Sequence, residues 1–359
     1  MGLELRIKLR ILLKLLLFAA TLLFLVNNQA KAQDEFDVLL EGGTADAEKY
    51  LGKYIEPIFK GVGFGLANGW YNTAKTHKVM GIDLTITANL AMVPDKDQTF
   101  KFVSSDFERL QLESGSPSAD LPTVAGPKTT ENIEIVVIDD NDIPTGTTIS
   151  RQAPSGLDLK EEVGHNFVPV PMAHLGIGLP KDTDLKIRWA PTVDVDDFEG
   201  KIFGFGILHN VKQWIPGLKE SPFHLSGFVG YTKIEASYDL TSSDLNNGTN
   251  DQVSNYKVKS LTIQGIISKD LIAKKLFEFT VYGSLGYNSA SSELQLLGTY
   301  ELDQSVNTLN DPVDLSFSNS GVRGSAGLRM KLLAFLTLHA DYTLQEYNTL
   351  TAGVGINVR

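Results

Sequence analysis

The chain of 359 residues carries 43 acidic against 32 basic side chains, a net charge of −11, and no cysteine. The missing thiols exclude disulfides, a thiolate metal site, a cysteine nucleophile and a lipid-modified N-terminal cysteine. The acidic balance repels nucleic acid and offers it no basic footprint.

Residues 1–32 read as an export signal. Arg6, Lys8, Arg10 and Lys14 form a basic region, Leu15 to Val26 a short apolar one, and Ala30-Lys31-Ala32 a small-x-small cleavage site, so the mature chain is expected to begin near Gln33. The apolar run is shorter than the ~20 residues a spanning helix needs. Cleavage would remove five basic residues (Lys31 is the fifth) and one acid, Glu4, taking the charge from −11 to −15.

Residues 33–58 are expected to form a periplasmic or plug segment. Thr44 followed by Ala45-Asp46-Ala47-Glu48 reads as a helix cap with acids in the first turn. Tyr50, Leu51, Tyr54 and Ile55 then share one helical face before Pro57. A short amphipathic helix under or inside a barrel and a loose leader are both compatible with this pattern.

From there on the chain alternates apolar and polar residues. Ile82, Leu84, Ile86, Ala88, Leu90 and Met92 oppose Asp83, Thr85, Thr87 and Asn89. Phe277, Phe279, Val281, Leu285 and Tyr287 oppose Glu278, Thr280, Tyr282 and Ser284. Leu336, Leu338, Ala340, Tyr342 and Leu344 oppose Thr337, His339, Asp341 and Thr343, and residues 350–358 repeat the pattern. A period of two with one apolar face is a strand. Many runs reach the ~9–11 residues that cross a bilayer as a tilted strand, and only a closed sheet can do so without leaving backbone groups unpaired.

Twelve spanning segments are expected: 60–71, 79–93, 99–110, 170–179, 183–191, 201–212, 222–238, 254–268, 275–290, 317–331, 333–345 and 348–358, or fourteen if 131–138 and a neighbour also span. Starting upward from the periplasm, the short joins at 94–98, 180–182, 213–221, 269–274 and near 332 fall inside. The long ones at 111–169, 239–253 and 291–316 fall outside, as in outer-membrane barrels. Residues 292–301 read as a β-arm above the membrane, and residues 254–268 mix their faces, so their register stays open. Trp70, Tyr71, Trp189, Trp214, Phe223 and Tyr231 lie near strand ends, where interfacial aromatic belts would place them.

Chemical motifs are sparse. No Gly-x-Ser-x-Gly elbow or His-Glu-x-x-His helix occurs, and the six histidines never take metal-ligand spacing. His339 and Asp341 share one strand face, which suits a polar lumen wall better than a base and its orienting acid. Asp194, Asp196, Asp197 and Glu199, like Asp139 to Asp142, read as solvated acidic turns, and Asn247-Gly248-Thr249 as an Asn-Gly turn. Gly61-Val62-Gly63-Phe64-Gly65, Gly176-Ile177-Gly178, Gly204-Phe205-Gly206 and Gly353-Val354-Gly355 are expected to thin the wall and permit bending or a bulge, making lumen space or a lateral opening. No cofactor, metal or enzymatic activity is expected.

Two passages carry a resemblance. Val168-Pro169-Val170-Pro171-Met172-Ala173-His174-Leu175-Gly176-Ile177-Gly178-Leu179-Pro180, with Leu185-Lys186-Ile187-Arg188-Trp189-Ala190-Pro191, is one. Gly206-Ile207-Leu208-His209-Asn210-Val211-Lys212-Gln213-Trp214-Ile215-Pro216 is the other. They resemble FadL-like outer-membrane transport proteins and, more closely, a family of barrel proteins from Bacteroidota. The final strand resembles the signal read by the barrel-assembly machinery.

The reading is therefore an all-β, antiparallel transmembrane barrel of about twelve strands over 59–359 with a short N-terminal helix, in a Gram-negative outer membrane. Lumen-facing candidates are Asp83, Thr85, Lys186, Arg188, Glu278, Tyr282, His339 and Asp341. The resemblance implies passive transport or capture of a small hydrophobic solute. Partners would be outer-membrane lipid, the assembly machinery and that cargo. A filled structural or surface-interaction barrel is the alternative, and a barrel hydrolase a further one.

Overall fold

The computed structural model describes residues 43–138, 143–195, 198–239, 252–301 and 308–358. The expected export signal with its cleavage near Ala32, the turns expected at Asp139–Asp142 and Asn247, and part of the one expected at Asp194–Glu199 lie outside the described residues.

A helix, α1 (Thr44–Leu66), precedes β1 (Ile82–Met92). After β1 come four short strands and a longer one, β2 (Thr99–Val103), β3 (Leu110–Leu112), β4 (Ser118–Pro122), β5 (Asn132–Ile138) and β6 (Pro144–Gln152), then the helical turn α2 (Leu159–Val163). The rest is β7 (Phe167–Leu179), β8 (Thr183–Val195), β9 (Phe198–Asn210), β10 (His224–Asp239), β11 (Val253–Lys274) and β12 (Phe277–Leu297). A small hairpin, β13 (Thr299–Glu301) and β14 (Thr308–Asn310), leads to β15 (Val313–Leu332), β16 (Leu336–Leu344) and β17 (Thr349–Val358).

Ten strands close into an antiparallel barrel in the order β1-β17-β16-β15-β12-β11-β10-β9-β8-β7. The seam is complete: Ile82 pairs with Val358 on one side and with Ile177 on the other. Closure leaves no free sheet edge. Alternation sets the faces. In β1 Asp83, Thr85, Thr87 and Asn89 are buried inward, while Ile82 and Leu84 stand exposed outward. In β11, whose faces looked mixed, Ser260, Thr262, Gln264, Ile266 and Ser268 turn in, and Leu261, Ile263 and Ile267 turn out.

The barrel has ten strands rather than twelve, because two expected spans are something else. Residues 60–71 belong to α1 and the segment after it. The helix is expected to stop before Pro57 but runs on to Leu66, with Gly43, not Thr44, at its N-cap. Pro57, Phe59, Gly61, Gly63, Phe64, Gly65 and Leu66 are all buried. From Pro57 onward no residue of the helix is exposed, and a helix enclosed on every side needs no apolar stripe, so this half shows no 3.6-residue period and its glycines spaced by two imitate a strand. Residues 99–110 are also not a span. They hold β2, which pairs only with β4, and the start of β3, in the sheet β3-β5-β6. Strands of three to five residues are too short to cross. Residues 131–138 are β5 of that same sheet.

Removing these two spans reverses β1 and leaves every later strand direction intact. The joins 180–182, 211–223, 275–276 and 333–335 share one end with the start of β1. The connections 93–166, 240–252 and 298–312 share the other, so 94–98 lies opposite its expected side. Residues 93–166 form a cap there with its own core, in which Phe102, Leu110, Leu121 and Ile133 pack on Ala47, Tyr50 and Leu51 of α1.

Candidate functional site: the occupied lumen

The chain enters the barrel from the cap end. Asp46, in the first turn of α1, accepts the backbone N–H groups of Glu108, Arg109 and Leu110 at 2.9, 2.7 and 3.0 Å, which ties the helix to the cap. The helix then descends between the walls. Its glycines set the fit: a Cβ on Gly61 or Gly65 would stand 2.4 or 2.5 Å from Val168 or Val170 of β7. One on Gly63 would meet Asn319 and Ala290 on the opposite wall at 2.6 and 2.9 Å. Phe59 stacks on Phe317 and Phe64 on Tyr347.

Two guanidinium groups from opposite walls close the helix. Arg188 of β8 donates to the carbonyls of Leu66, at 2.6 Å, and Asn68, and lies 3.6 Å over the Trp70 ring. Arg323 of β15 donates to the Ala67 carbonyl at 2.8 Å and to Asn68 Oδ1. Asn68 Oδ1 also accepts from Thr343 at 2.8 Å, while its Nδ2 donates to the Phe64 carbonyl at 2.9 Å. The last carbonyls of a helix lack intrahelical partners and carry its negative dipole end. Buried arginines meet both needs here.

Residues 67–81 continue across the lumen in irregular backbone held by polar side chains. Tyr71 donates to Ser284 at 2.8 Å and also meets Gln264. Ala74 is fixed from both directions, its N–H to Ser268 Oγ at 3.0 Å and its carbonyl to Ser226 Oγ at 2.6 Å. At the short-turn end His77 is held by Asp184 (Nδ1 to Oδ2, 2.7 Å) and Asn357 (Nε2 to Nδ2, 2.7 Å).

The lumen-facing candidates fall as follows. Asp83, Thr85, Lys186 and Arg188 are buried on the inner wall. Lys186 Nζ stands 3.3 Å from Asp83 and 3.4 Å from His174, and Thr85 donates to Asp83 at 2.7 Å. Tyr282 donates to Asp341 at 2.9 Å. Glu278 pairs with Arg329 at 3.6 Å and is partly exposed. His339 lies beneath Gly353, and both its ring nitrogens lack a hydrogen-bond partner. His339 and Asp341 are therefore not joined as a catalytic pair, since Asp341 engages Tyr282 and Thr343 instead. Among the described residues no group of three or more His, Asp or Glu side chains is placed to hold a metal.

Sequence reasoning missed Arg323, Asn68, His77 and Asp184. The signal for Arg323 was present: Arg323, Arg329 and Lys331 occupy odd positions of β15, opposite Val322, Leu328 and Met330. Trp70 and Tyr71 are lumen residues and not belt residues. Trp189 and Trp214 do stand on the outer surface, 66% and 67% exposed. Of the two roles expected of the wall glycines, lumen space and a lateral opening, the first describes Gly206 and Gly353. Gly206 faces Phe228 and Trp70, and Gly353 faces His339, so these glycines make room for large inward side chains.

A void of about 10 Å³ lies among Ala67, Asn68, Gly69, Tyr71, Arg323 and Asp341, room for about one water.

These features define a class: a closed ten-stranded β-barrel whose lumen is filled by the chain's own N-terminal helix. The chain belongs to a family of unknown function, DUF6588, whose model matches residues 8–358. No curated protein matches it. Among solved structures, the attachment invasion locus protein Ail of Yersinia pestis is 10% identical with a TM-score of 0.24, covering 78% of this chain and 99% of that one. The translocator domain of autotransporter NalP from Neisseria meningitidis is 10% identical with a TM-score of 0.28, covering 79% and 90%. The transport unit of autotransporter AIDA-I from Escherichia coli is 8% identical with a TM-score of 0.29, covering 85% and 99%. The barrel itself stands on its own strand pairing, independent of these likenesses.

Proposed function

We propose that this chain is an outer-membrane β-barrel, sealed by its own N-terminal segment, that anchors and displays the cap at the cell surface for contact with an external partner. The observation that carries this reading is the occupied lumen: α1 and residues 67–77 run through the barrel from the cap to the short-turn end, where a conduit would need a continuous path. A membrane setting is supported by the outer face. Leu285, Val322 and Leu344 are 76%, 79% and 63% exposed on a closed sheet, an arrangement that water penalises and lipid requires. The longest connection, residues 93–166, stands at one end and three joins of two or three residues at the other, which favours an external cap. The export signal over 1–32 fits the same setting, with the barrel-assembly machinery as the partner in insertion.

Passive transport of a small hydrophobic solute, as in FadL-like proteins, finds less support. Much of the inner wall is polar, with Thr87, Asn89, Gln264, Thr280 and Asn288 buried along it, and its apolar part at Val168, Val170 and Met172 is covered by α1. Passage would also require breaking the arginine clamp on Leu66, Ala67 and Asn68.

An epitope inserted at Thr147, in the exposed strand β6 of the cap, tests the display. Antibody should label intact cells. Labelling only after the outer membrane is permeabilised would refute an external cap.

A further inference from the structure

The outer faces of β9 to β12 change character above the apolar band, at the cap end. The highest apolar row runs Phe205–Tyr231–Leu261 across three strands in register. The next row is Phe203–Lys233–Lys259–Ser291, and the one above it Lys201–Glu235–Lys257–Glu293. Lys233 and Lys259 are therefore directly opposed cross-strand partners. Like charges in that position push strands apart unless something negative lies between them. Two carboxylates serve four ammonium groups: Lys201 pairs with Glu235 at 3.3 Å, Lys233 also meets Glu235, and Lys257 and Lys259 reach Glu293 at 3.2 and 3.9 Å. Asp194, Glu199 and Asp314 stand in the row beyond, so the excess of ammonium groups is confined to the two rows nearest the apolar band. A cleft of about 300 Å³ opens among Glu199, Lys201, Glu235, Lys257, Glu293 and Gln295.

We propose that this shelf binds the phosphorylated headgroup of a surrounding lipid, whose acyl chains lie on Phe203, Phe205, Tyr231 and Leu261. The proposal rests on the membrane reading above. Its height is what gives it chemical sense. A lysine just beyond the apolar band stands at the depth of lipid phosphates, and ammonium groups bind phosphate as point charges from a surface. A phosphate between Lys233 and Lys259 adds the counter-charge that two shared carboxylates leave short, and the cleft above them, with its carboxylates and amides, gives room for the hydroxyls of a sugar.

The test is native mass spectrometry of the detergent-solubilised full chain with a diphosphorylated glucosamine-disaccharide lipid (lipid A) and with its dephosphorylated form. Heat-modifiable gel mobility after addition to vesicles serves as the check on folding. The phosphorylated lipid should be retained about 10-fold more strongly. The variant K233Q/K259Q should lose that preference while remaining heat-modifiable. K274Q, at the far end of β11, should keep it. Equal retention of the two lipids, an unchanged preference in K233Q/K259Q, or an equal loss in K274Q would overturn the shelf alone. A wild-type chain that never inserts into vesicles would overturn the membrane reading, and the shelf with it.

Discussion

Arg188 fixes the helix end through two backbone carbonyls and an aromatic face, all buried, so its loss should be felt as more than one missing hydrogen bond. Arg188→Ala leaves those carbonyls unmet and should cost about 2–4 kcal/mol in urea unfolding of the refolded barrel. Arg188→Lys should recover little of it, because one ammonium cannot span two carbonyls while stacking on Trp70. Gly65 offers a second check. Gly65→Val meets Val170 and should destabilise by about 1–3 kcal/mol through overpacking. Val170→Ala in the same chain should return part of that loss, and a double-mutant cycle measures the return. At the cap end Tyr347 donates to Asp97 at 2.8 Å, and burial, then the Asp97 charge, pushes its phenol above the ordinary range. The raised proton affinity favours the folded state below the unfolded phenol's value of about 10 and is lost as pH climbs beyond it. Absorbance titration near pH 10 should therefore find the deficit of ionised tyrosine, folded against unfolded chain, smaller by one in Tyr347→Phe than in wild type. Lumen residues such as Asp83, Lys186 and Arg188 were legible in the sequence because they interrupt apolar alternation at regular spacing. Asn68 and His77 were not, since no periodic element surrounds them.

Strands and helix differ in how much of themselves the sequence shows. β1, β12, β16 and β17 each have one face in polar surroundings and one in apolar surroundings, and that difference is written into every second residue. α1 has no such contrast below Pro57, where the wall surrounds it, so the 3.6-residue signal vanishes and strand-like glycine spacing takes its place. The cap strands β2 to β4 were misread as part of one span and a loop, because three to five residues carry too little pattern to identify partners. Two of the three tight hairpins at the short-turn end show the same limit. Lys181-Asp182 and Leu333-Ala334 all have positive φ, the geometry of a type I′ turn, without the Asn-Gly that usually marks it. Replacing Leu333-Ala334 with Asn-Gly should raise the thermal midpoint of unfolding. No change or a fall would show that this turn is held by something other than its own backbone preference.

For the molecule as a whole, the cap, helix and barrel form one continuous object. The cap core includes Tyr50 and Leu51 of α1, the helix ends in the grip of β8 and β15, and the chain after it returns to the seam at β1. Such an arrangement fixes the cap over a sealed wall and ties the position of one to the other. Single-channel recording of the purified full chain in planar bilayers is the decisive measurement, run beside a variant lacking residues 44–77. Silent bilayers for the full chain and ion currents once the lumen segment is removed are expected. Steady conductance by the intact chain would contradict a lumen closed by its own N-terminal helix.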